Sequence, residues 1–172
     1  MKKFGVRFVA AKSRVAPLKE LTIPRLELQA AVVGSRLGKT ILQESRLKFE
    51  KVRYLSDSRV ALAWIQGESR SYKPIVLCLV GEIQSNSKPS EWSNCPTSLN
   101  VADDLTKGIS LEQMSGRWFN GPEFLQLRED VWPVEHGTPD VKEVNTEKRK
   151  AQVVYAAAVS ETVINCQRFS TW

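Results

Sequence analysis

Glu27, Asp57 and Asp103 are the residues of this chain best suited to chemistry, because of the segments that carry them. Glu27 lies in Ile23-Pro24-Arg25-Leu26-Glu27-Leu28-Gln29-Ala30-Ala31, which reads as a helix. Asp57 closes the strand-like run Val52-Arg53-Tyr54-Leu55-Ser56-Asp57-Ser58. Asp103 lies in Asn100-Val101-Ala102-Asp103-Asp104-Leu105-Thr106-Lys107-Gly108, the start of a further helix. Carboxylates delivered from a strand end and from neighbouring helices can hold hard cations, and all-oxygen ligands suit Mg²⁺ or Mn²⁺. Two such ions ~4 Å apart would steady the exchanging oxygens in phosphodiester cleavage. Each acid also has a plainer reading. Asp57 and Ser58 can cap the following helix. Glu27 can be a solvated helix glutamate. Asp103, three residues after Asn100, falls where a capping arrangement places an acid.

The elements needed to position these acids can be read from the pattern. Residues 5–15 are expected to form a strand, with Val6, Phe8 and Val9 apolar and Pro17 closing it. Thr22 and Pro24 mark a helix start, and Leu26, Ala30, Val33, Leu37 and Ile41 recur at helical spacing, predicting one buried face. Residues 52–56 read as a second strand. Ser58 caps a short helix that stops at Gly67, and residues 74–83 form an apolar third helix. Glu91-Trp92-Ser93-Asn94-Cys95-Pro96 resembles a short strand entering a turn. Asn100 then caps a helix ended by Gly108. Trp118-Phe119-Asn120-Gly121-Pro122-Glu123-Phe124-Leu125 is an aromatic loop expected to pack back on the body. Residues 133–147 turn polar and read as a linker, and residues 151–163 have helical character without a visible partner. The order of strands and helices is that of an α/β domain with a mixed sheet, whose strand ends and helix starts converge on one edge.

Composition narrows the function classes. The net charge of +6 is compatible with a polyanionic partner without requiring one. Cys78, Cys95 and Cys166 are odd in number and widely spaced, which opposes a disulfide framework or a zinc site and fits a reducing compartment, with the cytoplasm as default. His136 is the sole histidine, so a histidine-based zinc cluster is excluded. No apolar run approaches the ~20 residues of a membrane span.

The three acidic contexts, taken with other motifs, resemble the polyprotein of Pao/BEL-type LTR retrotransposons. The resemblance is carried by Val9-Ala10-Ala11-Lys12-Ser13-Arg14-Val15-Ala16-Pro17-Leu18-Lys19, by Ile23-Pro24-Arg25-Leu26-Glu27-Leu28-Gln29-Ala30, and by Leu55-Ser56-Asp57-Ser58. Glu91-Trp92, Asn100-Val101-Ala102-Asp103-Asp104 and Trp118-Phe119-Asn120-Gly121-Pro122 continue it in family order. The tail Arg168-Phe169-Ser170-Thr171-Trp172 looks like the linker towards an integrase portion. The resemblance implies the ribonuclease H-like segment between reverse transcriptase and integrase, a nuclease that cuts RNA in RNA–DNA hybrids with Mg²⁺ held by carboxylates. It would make Glu27 the helix ligand, Asp57 the strand-end ligand and Asp103, in preference to Asp104, the last. Ser58 and Asn100 are further candidates for contacts to nucleic acid. The implied organisation is a ribonuclease H-like domain over residues 5–110, the aromatic loop over 111–134, and a linker over 135–172.

The family pattern also implies what is missing. Its site begins with an aspartate on a first strand, and residues 1–19 contain no acid. Glu20 cannot substitute, because it follows the strand at residues 5–15. The expectation is therefore a truncated ribonuclease H-like mixed sheet flanked by helices, with a partly disordered C-terminal extension. In it, residues 5–15 either move to pair with residues 52–56 or leave the chain poorly stable. Hybrid cleavage should be lost, since forfeiting even ~4 kcal/mol of transition-state stabilisation costs nearly a thousandfold in rate. The alternative is a non-catalytic nucleic-acid-binding or co-opted interaction module.

Overall fold

A computed structural model describes residues 4–18, 20–105, 110, 112, 116–133 and 137–150. Five helices and two strands are assigned within them: α1 (Ile23–Glu44), β1 (Tyr54–Ser56), α2 (Arg59–Gln66), α3 (Pro74–Asn86), β2 (Trp92–Asn94), α4 (Arg117–Asn120) and α5 (Val141–Thr146). Short 3₁₀ turns join them. The class is α/β and rich in helix. β1 and β2 pair in parallel, Tyr54 with Trp92, Leu55 with Ser93 and Ser56 with Asn94, and α2 and α3 form the crossover between them. Parallel neighbours need such a connection, since a hairpin cannot join them.

The core forms where α1, α2 and α3 meet the sheet. Leu28, Val60, Ala61, Leu62, Trp64, Ile65, Val76, Val80, Ile83 and Trp92 are buried in one cluster. Local signals set both ends of α2 and the start of α3 as expected, whereas the Thr22 side chain makes no capping hydrogen bond at the start of α1. The Ser58 hydroxyl accepts a hydrogen bond from the Ala61 amide at 3.3 Å, capping α2, which ends at Gly67. Pro74 opens α3 in the first turn, where its missing N–H costs nothing.

Three expectations are corrected. The sheet is not mixed: among the described residues it has two parallel strands. Residues 5–15 form no strand and do not pair with β1. This segment is mostly exposed and instead follows the aromatic loop, with the Phe4 amide donating to the Gln126 carbonyl (2.9 Å) and the Phe8 amide to that of Phe119 (3.1 Å). The Phe8 ring lies 6.1 Å from Trp118 and 5.9 Å from Phe119, so aromatic contact competes successfully with strand pairing.

The third correction concerns α1. Its buried residues are Leu28, Ala31, Val32 and Ser35, whereas Leu26, Val33, Leu37 and Ile41 are only half-buried and Ala30 is exposed. At about 100° per residue these two sets lie on opposite sides of the helix. α3 packs on the stripe that contains small Ala31 and Ser35, where backbones approach closely. Ser35 turns its hydroxyl onto the Val32 carbonyl at 2.9 Å, which satisfies it inside the core.

Part of the stretch read as a linker, residues 137–150, packs onto the body. Trp64 Nε1 donates to the Val144 carbonyl (3.1 Å), and Arg149 donates through its amide to Ser71 O and through Nε to Tyr72 O, each at 2.8 Å. Glu147, 5% exposed, takes a two-pronged hydrogen bond from Arg25 at 2.9 and 3.1 Å. The helix expected over 151–163, the stop at Gly108, the expected C-terminal disorder and the tail motif lie outside the described residues.

Leaving a buried charge without its partner costs several kcal/mol. Glu147→Ala should therefore lower unfolding free energy by about 3 kcal/mol, read by urea denaturation. Ser58→Ala should cost about 1 kcal/mol through loss of the α2 cap. Equal small effects would show that residues 141–150 contribute nothing to the fold.

Candidate functional site

Helix geometry brings Glu27 to Asp57. Gly38 lies against the Tyr54 ring so closely that a Cβ there would collide with it, which fixes the flank of α1 that faces β1. Glu27 is eleven residues earlier, about three turns, and so projects from that same flank. β1 runs from Tyr54 to Ser56, and Asp57 follows directly. The Tyr54 ring stacks on Trp92 at 4.7 Å, locking β1 to β2 at this point.

Asp103 arrives from β2. After Asn94 the chain makes two 3₁₀ turns, Thr97–Leu99 and Val101–Leu105, in place of the expected α-helix. Asn100 Oδ1 accepts from the Ala102 amide at 3.2 Å, so its side chain caps this turn. Asp103 and Asp104 then diverge. Asp104 is held by Arg117, with Oδ2 3.2 Å from Nε and Oδ1 3.3 Å from Nη2. Asp103 lies within the electrostatic reach of Glu27.

Glu27 senses the other two carboxylates. Burial pushes the Glu27 carboxyl above its ordinary value, and the negative charges of Asp57 and then Asp103 push it further in the same direction. Asp57 and Ser58 also separate cleanly: the Ser58 hydroxyl is the cap of α2, while Asp57 stands one residue before it. The plain capping reading therefore describes Ser58 and not Asp57. Ser58 and Asn100, the candidates for contacts to nucleic acid, both have their side-chain oxygens engaged in capping their own turns.

Several residues here carried no functional signal in the sequence. Cys95, buried beside this edge, has its thiol pushed up by burial and by Asp57, with Arg117 opposing. It therefore remains a thiol and a weak nucleophile at neutral pH. Asn94 Oδ1 is buried without a hydrogen-bond partner among the described residues, and Asn94 pairs with Ser56 next to Asp57. Asp57 also opens onto a cleft of about 400 Å³ between the starts of α1 and α2, which Thr138, Asp140 and Glu143 close from the other side. Only tertiary packing places those last three there.

The donors are chemically right for Mg²⁺ or Mn²⁺, since all are carboxylate oxygens. Their spacing is not. Among the described residues, no group of three or more histidine, cysteine, aspartate or glutamate side chains is close enough to hold a metal ion. The edge gathers negative charge without closing a coordination shell.

Residues 1–58, the N-terminal third of the chain, match the family model of the Pao retrotransposon-like RNaseH-like domain. The matched span holds Glu27 and reaches one residue past Asp57, while Asp103 lies outside it. No curated protein and no solved structure matches the chain. Among the described residues, no helix is long and apolar enough to cross a membrane.

The electrostatics give a test with a defined sign. The folded pKa of Glu27 lies above its unfolded value, so between the two the folded chain binds more protons, and stability falls as pH rises through that window. Glu27→Gln should therefore be more stable than the wild type at pH 7. Its advantage should shrink as pH drops towards the ordinary glutamate range. Urea denaturation across pH reads this directly, and a less stable variant at pH 7 would place Glu27 in a favourable contact instead.

Proposed function

We propose that this chain is a ribonuclease H-like nucleic-acid-directed domain that retains three of the acidic positions of a phosphodiester-cleaving site and does not cut RNA–DNA hybrids by itself. The observation that carries this reading is the electrostatic coupling of Glu27, Asp57 and Asp103 at one edge of the parallel pair. Descent supports it, because the matched span contains two of the three.

The absence of cleavage is read from the spacing of the acids: among the described residues, no group of three or more could hold a metal ion. Residues 4–18 supply neither an acid nor a strand beside β1. Burial, and then the charges of Asp57 and Asp103, raise the Glu27 pKa. The net charge of +6 over the whole chain favours a polyanion as partner. A second reading, binding without cleavage, rests on that charge.

A labelled RNA–DNA hybrid incubated with the chain and Mg²⁺ or Mn²⁺ should show no cleavage above background. Wild type and Asp57→Asn should behave alike. Mg²⁺-dependent cleavage that disappears in Asp57→Asn would overturn the proposal and restore the enzyme. Retention of the uncut hybrid that weakens steeply with salt would identify the binding module, since phosphate contacts release counterions.

A further inference from the structure

A second cavity, of about 730 Å³, lies beneath the aromatic loop, within the size range of ligand pockets. Its construction is explicit in the backbone. Gly116 and Gly121 flank α4 with φ of +85° and +67°, a region that side-chain-bearing residues rarely adopt. Both glycines line the cavity, together with Arg117 and Asn120 of α4 and residues 122–124 of the segment that follows. Leu99, Phe124 and Leu127 contribute apolar lining, and Asn120, Gln126 and Arg117 contribute polar lining.

That combination has a specific chemistry. Neutral amides both donate and accept, as the edges of heterocyclic bases do. An apolar floor accepts a flat ring, and a guanidinium at the rim suits the attached phosphate. A metal is disfavoured, since Glu123 is the one carboxylate among the lining residues. A purely apolar ligand would strand the two amides.

Arg117 links the cavity to the acidic edge. It lines the hollow, pairs with Asp104 beside Asp103, and donates to the Asn100 carbonyl at 3.4 Å. Its charge also reaches Cys95, which senses Asp57. Arg117 therefore joins the cavity lining to the turn that carries Asp103.

We infer that this cavity receives a single unstacked nucleobase from a nucleic-acid strand, a step that rests on the nucleic-acid reading proposed above. Fluorescence anisotropy with the full chain tests it on three probes: a blunt RNA–DNA hybrid, the same hybrid with a short single-stranded overhang, and that overhang made abasic. Base stacking implies that the base-bearing overhang binds about tenfold tighter than either of the others. Leu99→Trp, which fills the hollow, should erase this advantage and leave blunt-hybrid affinity unchanged. A fluorescent base analogue in the overhang should change emission on binding, and this readout works on the wild type without any variant. Equal affinity for base-bearing and abasic overhangs, with blunt hybrid still bound, would overturn the cavity inference alone, as would an advantage that survives Leu99→Trp in a folded variant. No affinity for any probe would overturn both this inference and the nucleic-acid reading beneath it.

Discussion

The parallel pairing of two three-residue strands is the constraint on which the functional edge depends. Because β1 and β2 run the same way, Asp57 and the turn bearing Asp103 both leave from their C-terminal ends. Parallel strands generally offer their C-terminal ends as the binding edge for this reason. An antiparallel pair would have sent the two acids to opposite ends. The pairing itself is short, and it is held by what lies around it: Tyr54 stacked on Trp92, Gly38 of α1 pressed against Tyr54, and the α2–α3 crossover filling the core. The same contact with Gly38 sets which side of α1 faces the strands, and so brings Glu27 to the edge.

The edge is electrostatically costly. Glu27 is half-buried and faces two further negative charges, and its pKa rises as a result. A fold optimised only for stability would not assemble these groups. Sites that must meet a cation or a phosphate commonly carry such a penalty. Structural ion pairs elsewhere in the chain are matched, as with Arg25 and Glu147 or Asp104 and Arg117.

Much of the local structure was legible in the sequence. Ser58 capping α2, Gly67 ending it, Pro74 opening α3 and the short strand at Trp92 all follow from backbone chemistry that acts within a few residues. The buried side of α1 was not legible. Apolar residues occupy both Leu26–Val33–Leu37–Ile41 and Leu28–Ala31–Val32, and periodicity cannot say which stripe a neighbouring helix will choose. Small side chains at Ala31 and Ser35 decide it, through how closely α3 can approach. The strand expected at residues 5–15 failed for a related reason: a strand needs a partner edge, and Phe8 found Trp118 and Phe119 instead.

For the site itself, the sequence alone singled out the candidate acids and the family their contexts resemble, because motifs are carried by residue identity and order. It also determined that residues 1–19 bring no further acid. Tertiary structure decided that Glu27, Asp57 and Asp103 face one another, that Asp104 is held by Arg117, and that Thr138, Asp140 and Glu143 close the cleft beside Asp57. It also decided that the carboxylates among the described residues stop short of a closed metal shell. Those relations span from 13 to more than 80 residues of chain. Distances of that kind are fixed by packing and strand direction, which no local pattern encodes.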